Sequence, residues 1–422
     1  MIALELPVPV LWALRWALFL GPLAACAILV RRDGHDRRTL VGCLFAFLYG
    51  LGLIFGTHIL AAAMGWWRYG GQTLMLQGIP ADIWIGGALL FGPVLFLAFP
   101  RTNPLWLLPP IVAGLHGLFF LSLPPLVHPG PGWFPGVVTV FATAHLPALA
   151  LARWTAQDRR LPERAALLAL GYGFLAFGVL PCLILRAMGG EWDLAGRPPL
   201  LTAFCLVLLA PLFVLGLSAV QLFVMYGEGT PIPLDPTQRL VRTGVFAYVT
   251  NPMQLSTAAS WVVMGLALGS PWIAAAALMA WVFVLGMVRW HHRHDLLVRF
   301  PQGWPEYRAH VPEWRPRWRP WIPEAARLTL DPARPLHRRL KAWLARREAV
   351  GLSLEPLPGA RLVYDDGLVR LNGPLAALKC LEHVHFAWAL VGAAGLLVGW
   401  PLAGLRRRWQ ARSRGRGATH HA

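Results

Sequence analysis

Long apolar runs alternate with short breaks rich in proline, glycine and arginine over roughly the first 290 residues. Runs of about 18 or more apolar residues with few charges are long enough to cross a bilayer as helices. The pattern predicts nine spans, at 9–30, 40–64, 82–99, 104–126, 136–153, 165–187, 200–226, 252–269 and 271–290. The opening run reaches about spanning length and lacks a cleavage pattern, so it reads as the first helix rather than a signal peptide. After Arg289 the pattern changes. WHHRHDLLVRFPQGWPEYRAHVPEWRPRWRPW is basic, rich in Trp and broken repeatedly by Pro, which rules out one long helix and suits a collar at headgroup level. Residues 325–382 are more polar and read as a small cytoplasmic appendage. The apolar stretch 386–405, interrupted by Pro401 and followed by RRRWQARSRGRG, reads as a non-spanning helix, because a crossing would set that tail against the positive-inside rule.

Composition sharpens this picture. The 422 residues are 56% hydrophobic and 14% charged, against roughly 45–50% and about 25% in soluble domains, and the mean hydropathy is +0.52. The net charge of +18 is a topology signal rather than a nucleic-acid footprint, because its arginines flank apolar spans. RRDGHDRR (31–38), Arg101 and ARWTAQDRRLPER (152–164) fall on one side; the Arg-poor loops 65–81, 127–135 and 188–199 fall on the other. This alternation puts Gly227–Gln254 on the cytoplasmic side of an inner or plasma membrane. The five cysteines are scattered without a CxxC pair, which argues against a disulfide framework or zinc site. His291, His292 and His294 lack acidic or Cys partners suited to a metal and read as a charged turn. Few ionisable residues fall within the spans (Arg15, His58, His116, His145), which gives a transporter little support.

Within Gly227–Gln254, GEGTPIPLDPTQRLVRTGVFAYVTNPMQ, Gly229 and Gly244 allow positive φ, and Pro231, Pro233, Pro236 and Pro252 stiffen the path. Irregular backbone beside a membrane is tolerated where it is buried in protein or lines a cavity, so the loop reads as a ligand cradle. Its pattern G-x-G-T-P-x-P-x-x-P-x-x-L-V-x-x-G-x-x-x-Y-V-x-N-P-M resembles the isoprenylcysteine carboxyl methyltransferase family and its phospholipid N-methyltransferase relatives. The likeness continues through Leu296, Phe300, Trp304, Tyr307, Val311, Pro312, Trp314 and Pro316, and covers about residues 200–320.

The resemblance implies an all-α polytopic membrane enzyme that uses S-adenosylmethionine on a lipid-like or membrane-bound acceptor, by carboxyl O- or N-methyl transfer. It divides the chain into N-terminal transmembrane helices (1–199), a methyltransferase-like core (200–320) and a basic appendage (321–422). It implies cofactor contacts at Gly229, Leu240, Gly244, Tyr248, Asn251, Pro252 and Gln254, with His292 and Asp295 as catalytic candidates and no metal. The partners it implies are the bilayer and a membrane-soluble acceptor, not nucleic acid. The chain departs from the family pattern at Phe246, Ala247, Thr250 and Gln254, and the family's acidic pair falls on His292 and Arg293. Asp295, Glu228 or Asp235 would then supply the missing acid; failing that, the chain is a degenerate scaffold that keeps the fold. LVYDDG (362–367) resembles the start of small thiol-oxidoreductase domains, but no CxxC follows it.

Overall fold

The structure, a computed structural model, describes residues 7–70, 73–122 and 126–418. Among the described residues, seven helices are long and apolar enough to cross a membrane: α1 (Val8–Arg32), α2 (Arg37–Ala63), α3 (Ala81–Ala98), α5 (Trp133–Ala156), α6 (Leu161–Met188), α7 (Pro199–Gly227) and α9 (Pro271–Arg299). The chain is a multi-pass integral membrane protein. Two of the nine expected spans are not among these seven. The stretch 104–126 forms α4 (Pro104–Ser122), and residues 123–125 lie outside the described residues. The stretch 252–269 forms α8 (Pro252–Leu268), of 17 residues, about 25 Å of helix and so at the lower limit for a crossing. Local chemistry sets the ends of these helices. Asp36 accepts from the Thr39 N–H at the start of α2, Pro199, Pro252 and Pro271 open theirs, and Gly269 closes α8 in the left-handed conformation.

The chain forms two compact units, Met1–Trp192 and Asp193–Ala422. In the first, α2 packs on α3, α5 and α6 through small residues. A Cβ on Gly42 would sit 2.6 Å from the Ala152 carbonyl oxygen, and one on Gly52 would sit 2.9 Å from that of Gly171, the close backbone approach typical of membrane helices. The buried Arg15 pairs with Asp82 at 3.0 Å. The loop 65–81 is pinned by the strands β1 (Trp67–Tyr69) and β4 (Val127–Pro129), which pair antiparallel, and by the β2 (Met75–Leu76)–β3 (Ile79–Pro80) hairpin; residues 71–72 lie outside the described residues.

In the second unit α7 packs against α8, and α9 runs into α10 (Gly303–His310). The expectation of an all-α chain fails locally at the short loop strands β1–β4 and more fully beyond residue 325. Strands β5 (Ala326–Leu330), β6 (Leu352–Pro356), β7 (Val363–Asp365) and β8 (Arg370–Asn372) form a sheet of order β6-β5-β7-β8. Helix α11 (Pro335–Arg346) carries the crossover between the parallel pair β5 and β6, and the other pairs are antiparallel. Alternation drives this sheet: Ala326, Leu328 and Leu330 point inward with Tyr364 and Leu371, onto Leu344, Ala376 and Cys380. LVYDDG is therefore the third strand and its turn, not the start of a domain. Asp365 and Asp366 accept backbone N–H groups from Gly367 and Val369 at 2.9 and 2.8 Å. The apolar stretch from 386 begins α13 (Phe386–Ala418), which follows α12 (Pro374–Cys380) and packs on α7 and α12. The side chains of the basic tail lie outside the described residues.

Candidate functional site

The loop after α7 is fixed by its own backbone. Helix α7 ends in a π turn, Phe223–Gly227, and Glu228 takes the left-handed conformation at φ 53°. The positive φ expected at Gly229 therefore falls one residue earlier. Gly229 is needed for a different reason: a Cβ there would lie 2.5 Å from the Thr237 Cα and 2.6 Å from the Pro236 carbonyl oxygen. Gly244 does have positive φ, 62°, and packs against Leu222. Thr230 donates to the Asp235 carbonyl through both its N–H and its hydroxyl, at 3.1 and 2.9 Å. The Gln238 N–H closes the loop onto the Gly227 carbonyl at 2.6 Å.

Segments distant in sequence clamp this loop. Arg299 donates to the Thr237 carbonyl at 2.6 Å while pairing with Asp295 at 2.7 Å. The Tyr307 hydroxyl donates to the Phe246 carbonyl at 2.8 Å. The proline-rich stretch lies alongside it: the Thr250 N–H bonds the Pro312 carbonyl (2.9 Å), the Arg317 N–H that of Tyr248 (3.0 Å) and the Trp321 N–H that of Ala247 (2.9 Å). Prolines cannot donate, but their carbonyls and the intervening N–H groups serve as a strut for the loop.

Beneath the loop lies a cavity of about 160 Å³, walled by Thr230, Leu240, Phe246, Asn251, Pro252 and Gln254 on the loop side and by Met287, His291, His292, Trp304 and Tyr307 opposite. Phe223, also on its wall, stacks on Phe246 with centroids 4.9 Å apart. Asn251 occupies the N-cap position of α8, yet its side chain makes no cap bond. It is 3% exposed, and its Nδ2 has no hydrogen-bond partner among the described residues. An unpaired buried amide costs about 1–3 kcal/mol, so a donor held in this state on a cavity wall is suited to a ligand's acceptor.

A second cavity, of about 270 Å³, adjoins the first and shares His292 and Trp304 as wall. Arg289, Arg293, Arg308 and Glu313 complete it. Glu313 pairs with Arg308 at 2.5 Å and with Arg289 at 3.1 Å, and Arg308 also donates to the Thr250 hydroxyl at 3.1 Å.

The sequence-derived candidates divide accordingly. Leu240, Asn251, Pro252, Gln254 and His292 share the inner cavity. Gly229 and Gly244 shape the loop without lining that cavity. Tyr248 is fully buried away from it, its hydroxyl donating to the Glu382 carbonyl at 2.7 Å and its ring against Phe386. Burial raises the hydroxyls of Tyr248 and Tyr307 well above the ordinary phenol range, so both stay protonated donors. Asp295 turns to Arg299 and to His291, 3.5 Å away, and stands off both cavities. Glu228 pairs with Arg239 at 3.1 Å. None of the three acids expected to replace the missing pair lines either cavity; Glu313 does, and it was not among them. Its only sequence signal is a lone acid between Pro312 and Trp314 in an arginine-rich run. Among the described residues no group of three or more His, Cys, Asp or Glu side chains is arranged to hold a metal.

Residues 202–294 match the family model for phospholipid methyltransferases, within the superfamily shared with the isoprenylcysteine carboxyl methyltransferases. The match begins in α7, takes in the whole loop and ends in α9, short of Trp304, Tyr307 and Glu313. The likeness read from the motif is borne out over that range. No curated protein and no solved structure matches the chain.

Proposed function

We propose that the chain is a membrane-embedded methyltransferase that takes S-adenosylmethionine at the cytoplasmic face and an acceptor laterally from the bilayer. Members of the matched family use this cofactor. The observation that carries the reading is the inner cavity itself, closed by the motif loop and walled by aromatic rings, with the unpaired Asn251 amide on its surface. These residues fit the cofactor. Phe246, Trp304 and Tyr307 present π faces that attract a sulfonium, and Asn251 and Gln254 present amide donors and acceptors for polar groups.

The bound cofactor supplies an activated methyl on a good leaving group. What the protein must add is position, because alignment of the reacting groups accounts for much of the barrier in such a transfer. The clamps on the loop provide it: Arg299 on Thr237, Tyr307 on Phe246 and Pro312 on Thr250 hold the cavity wall in one conformation. His292, common to both cavity walls, would take the proton lost by an amine acceptor. Asp295 would act at one remove, by orienting Arg299. Acceptor access is supported by α9, whose Met279, Val282, Phe283 and Met287 are exposed and offer an apolar approach to the cavity from the bilayer.

A second reading, a non-catalytic protein that keeps the fold, is motivated by His292 and Arg293 at the positions of the family's acidic pair. Calorimetric titration of S-adenosylmethionine into the full chain in nanodiscs separates the two. Saturable one-to-one binding supports the enzyme; no binding at millimolar cofactor by folded protein supports the scaffold.

A further inference from the structure

We propose that the outer cavity is a site for an α-amino-acid end, in which Glu313 takes the ammonium and Arg293, with Arg289, takes the carboxylate. The inference rests on the cofactor reading above and assigns the ammonium of that cofactor to Glu313, which lies beyond the matched residues, and its carboxylate to Arg293, at a position where the family carries an acid. The lining holds three guanidinium groups, one carboxylate, one imidazole and one indole. A simple cation would meet three arginines there, and a simple anion would face Glu313. A zwitterion satisfies both signs.

The two charged partners are prepared differently. Glu313 is 13% exposed and locked between Arg308 and Arg289. Its two oxygens can accept about four hydrogen bonds, which leaves capacity for an ammonium. Arg308 is itself held by the Thr250 hydroxyl, so the carboxylate is fixed to the loop that closes the inner cavity. Arg293 is exposed and makes no hydrogen bond or ion pair among the described residues, yet it lines the cavity. A free guanidinium beside a fixed carboxylate is the arrangement expected where the missing partner is a ligand's carboxylate.

Size supports a ligand with two ends. Neither cavity alone reaches the roughly 300 Å³ at which small-molecule pockets usually begin, but the two meet at His292 and Trp304. A molecule with an aromatic, sulfur-bearing body and an amino-acid end would span them. The loss of the acidic pair then has a physical account: the carboxylate comes from a different segment, and Arg293 changes which end of the zwitterion α9 recognises.

The test uses the full chain in nanodiscs of zwitterionic lipid, titrated calorimetrically with S-adenosylhomocysteine and with 5′-methylthioadenosine, which lacks the amino-acid end. The wild type should prefer S-adenosylhomocysteine by about tenfold or more, the scale of one or two charge-assisted hydrogen bonds. Arg293→Gln and Glu313→Gln should each erase most of that preference, and Arg293→Gln should leave the 5′-methylthioadenosine affinity within about twofold. Equal affinities for the two ligands in the wild type would overturn the inference and leave the cofactor reading standing; binding of neither would overturn both. If Glu313→Gln does not fold, Arg293→Gln decides, since its side chain holds nothing else in place. A loss in Arg293→Gln that is equal for the two ligands also counts against the assignment.

Discussion

The Thr243 hydroxyl donates to the Glu382 carboxylate at 2.7 Å across 139 positions of sequence. The same carboxylate receives the Lys379 ammonium at 2.7 Å, and both side chains are buried. Around them Tyr226 donates to Asp366 at 2.6 Å and Tyr364 meets His383 at 3.0 Å. The C-terminal sheet is therefore joined to the cavity loop through a buried polar network rather than hung from the membrane core as a loose appendage. Such networks are sensitive to partial loss, because each member left unpaired carries its full desolvation penalty.

Replacing Lys379 by Met should test that joint. It leaves Glu382 buried without its cation, a change that costs about 3–5 kcal/mol. The double variant Lys379→Met/Glu382→Leu should recover much of the loss, since apolar replacement of a buried pair is often close to neutral. Thermal unfolding in detergent measures both. If the single and double variants lose equally, the pair is not what holds the sheet to the loop.

The pH dependence should show the same joint. His383 is buried, with Nδ1 at 2.7 Å from the Val350 carbonyl, and burial depresses its pKa despite the opposing pull of Glu382. The folded state therefore keeps the ring neutral, while the unfolded chain takes up a proton near pH 6.5. Below that pH the unfolded state binds more protons, so stability falls as the pH drops. The melting temperature should decline from pH 7 to 5.5, and His383→Gln should flatten the decline. An unchanged slope in the variant would assign the effect to other groups.

Much of this was legible in the sequence, and the rest was hidden for identifiable reasons. Spans such as 40–64 and 200–226 declare themselves because twenty apolar residues in a row have few other uses. The motif positions Asn251, Pro252, Gln254 and Leu240 converge on one cavity because a proline-stiffened loop leaves them few alternatives. The sheet was hidden because its strands run only three to five residues, too short for alternation to stand out within a basic segment. Glu313 was hidden because its neighbours Arg289 and Arg308 are 24 and 5 positions away, and a pairing across a helix end and a proline-rich strut has no periodic signature. Tyr248 looked like a cofactor contact by motif, but its environment is set by Glu382 and Phe386, which no local pattern connects to it.

Tyr307→Phe should separate a structural clamp from a binding residue. The ring stays, so the cavity wall keeps its shape, while the Phe246 carbonyl loses its donor. A buried acceptor left unpaired costs about 1–3 kcal/mol. Thermal stability should fall on that scale, and cofactor affinity should fall by less than about threefold if the loop re-forms when ligand binds. A loss of affinity well beyond the loss of stability would instead mark the hydroxyl as a ligand contact.

Asn251→Ala should behave in the opposite way. The Asn251 Nδ2 is buried without a partner among the described residues, so its removal breaks no hydrogen bond within the protein, and the melting temperature should hold or rise. With cofactor bound the amide would gain an acceptor, and its loss should weaken binding about tenfold, the scale of one buried hydrogen bond that is otherwise left unmade. Had Asn251 served only as a helix cap, the same substitution would cost about 0.5–2 kcal/mol of stability. Calorimetry and thermal unfolding on the one variant therefore give opposite signs for the two roles: weaker binding at unchanged stability assigns the amide to the ligand, and lower stability at unchanged binding assigns it to the helix.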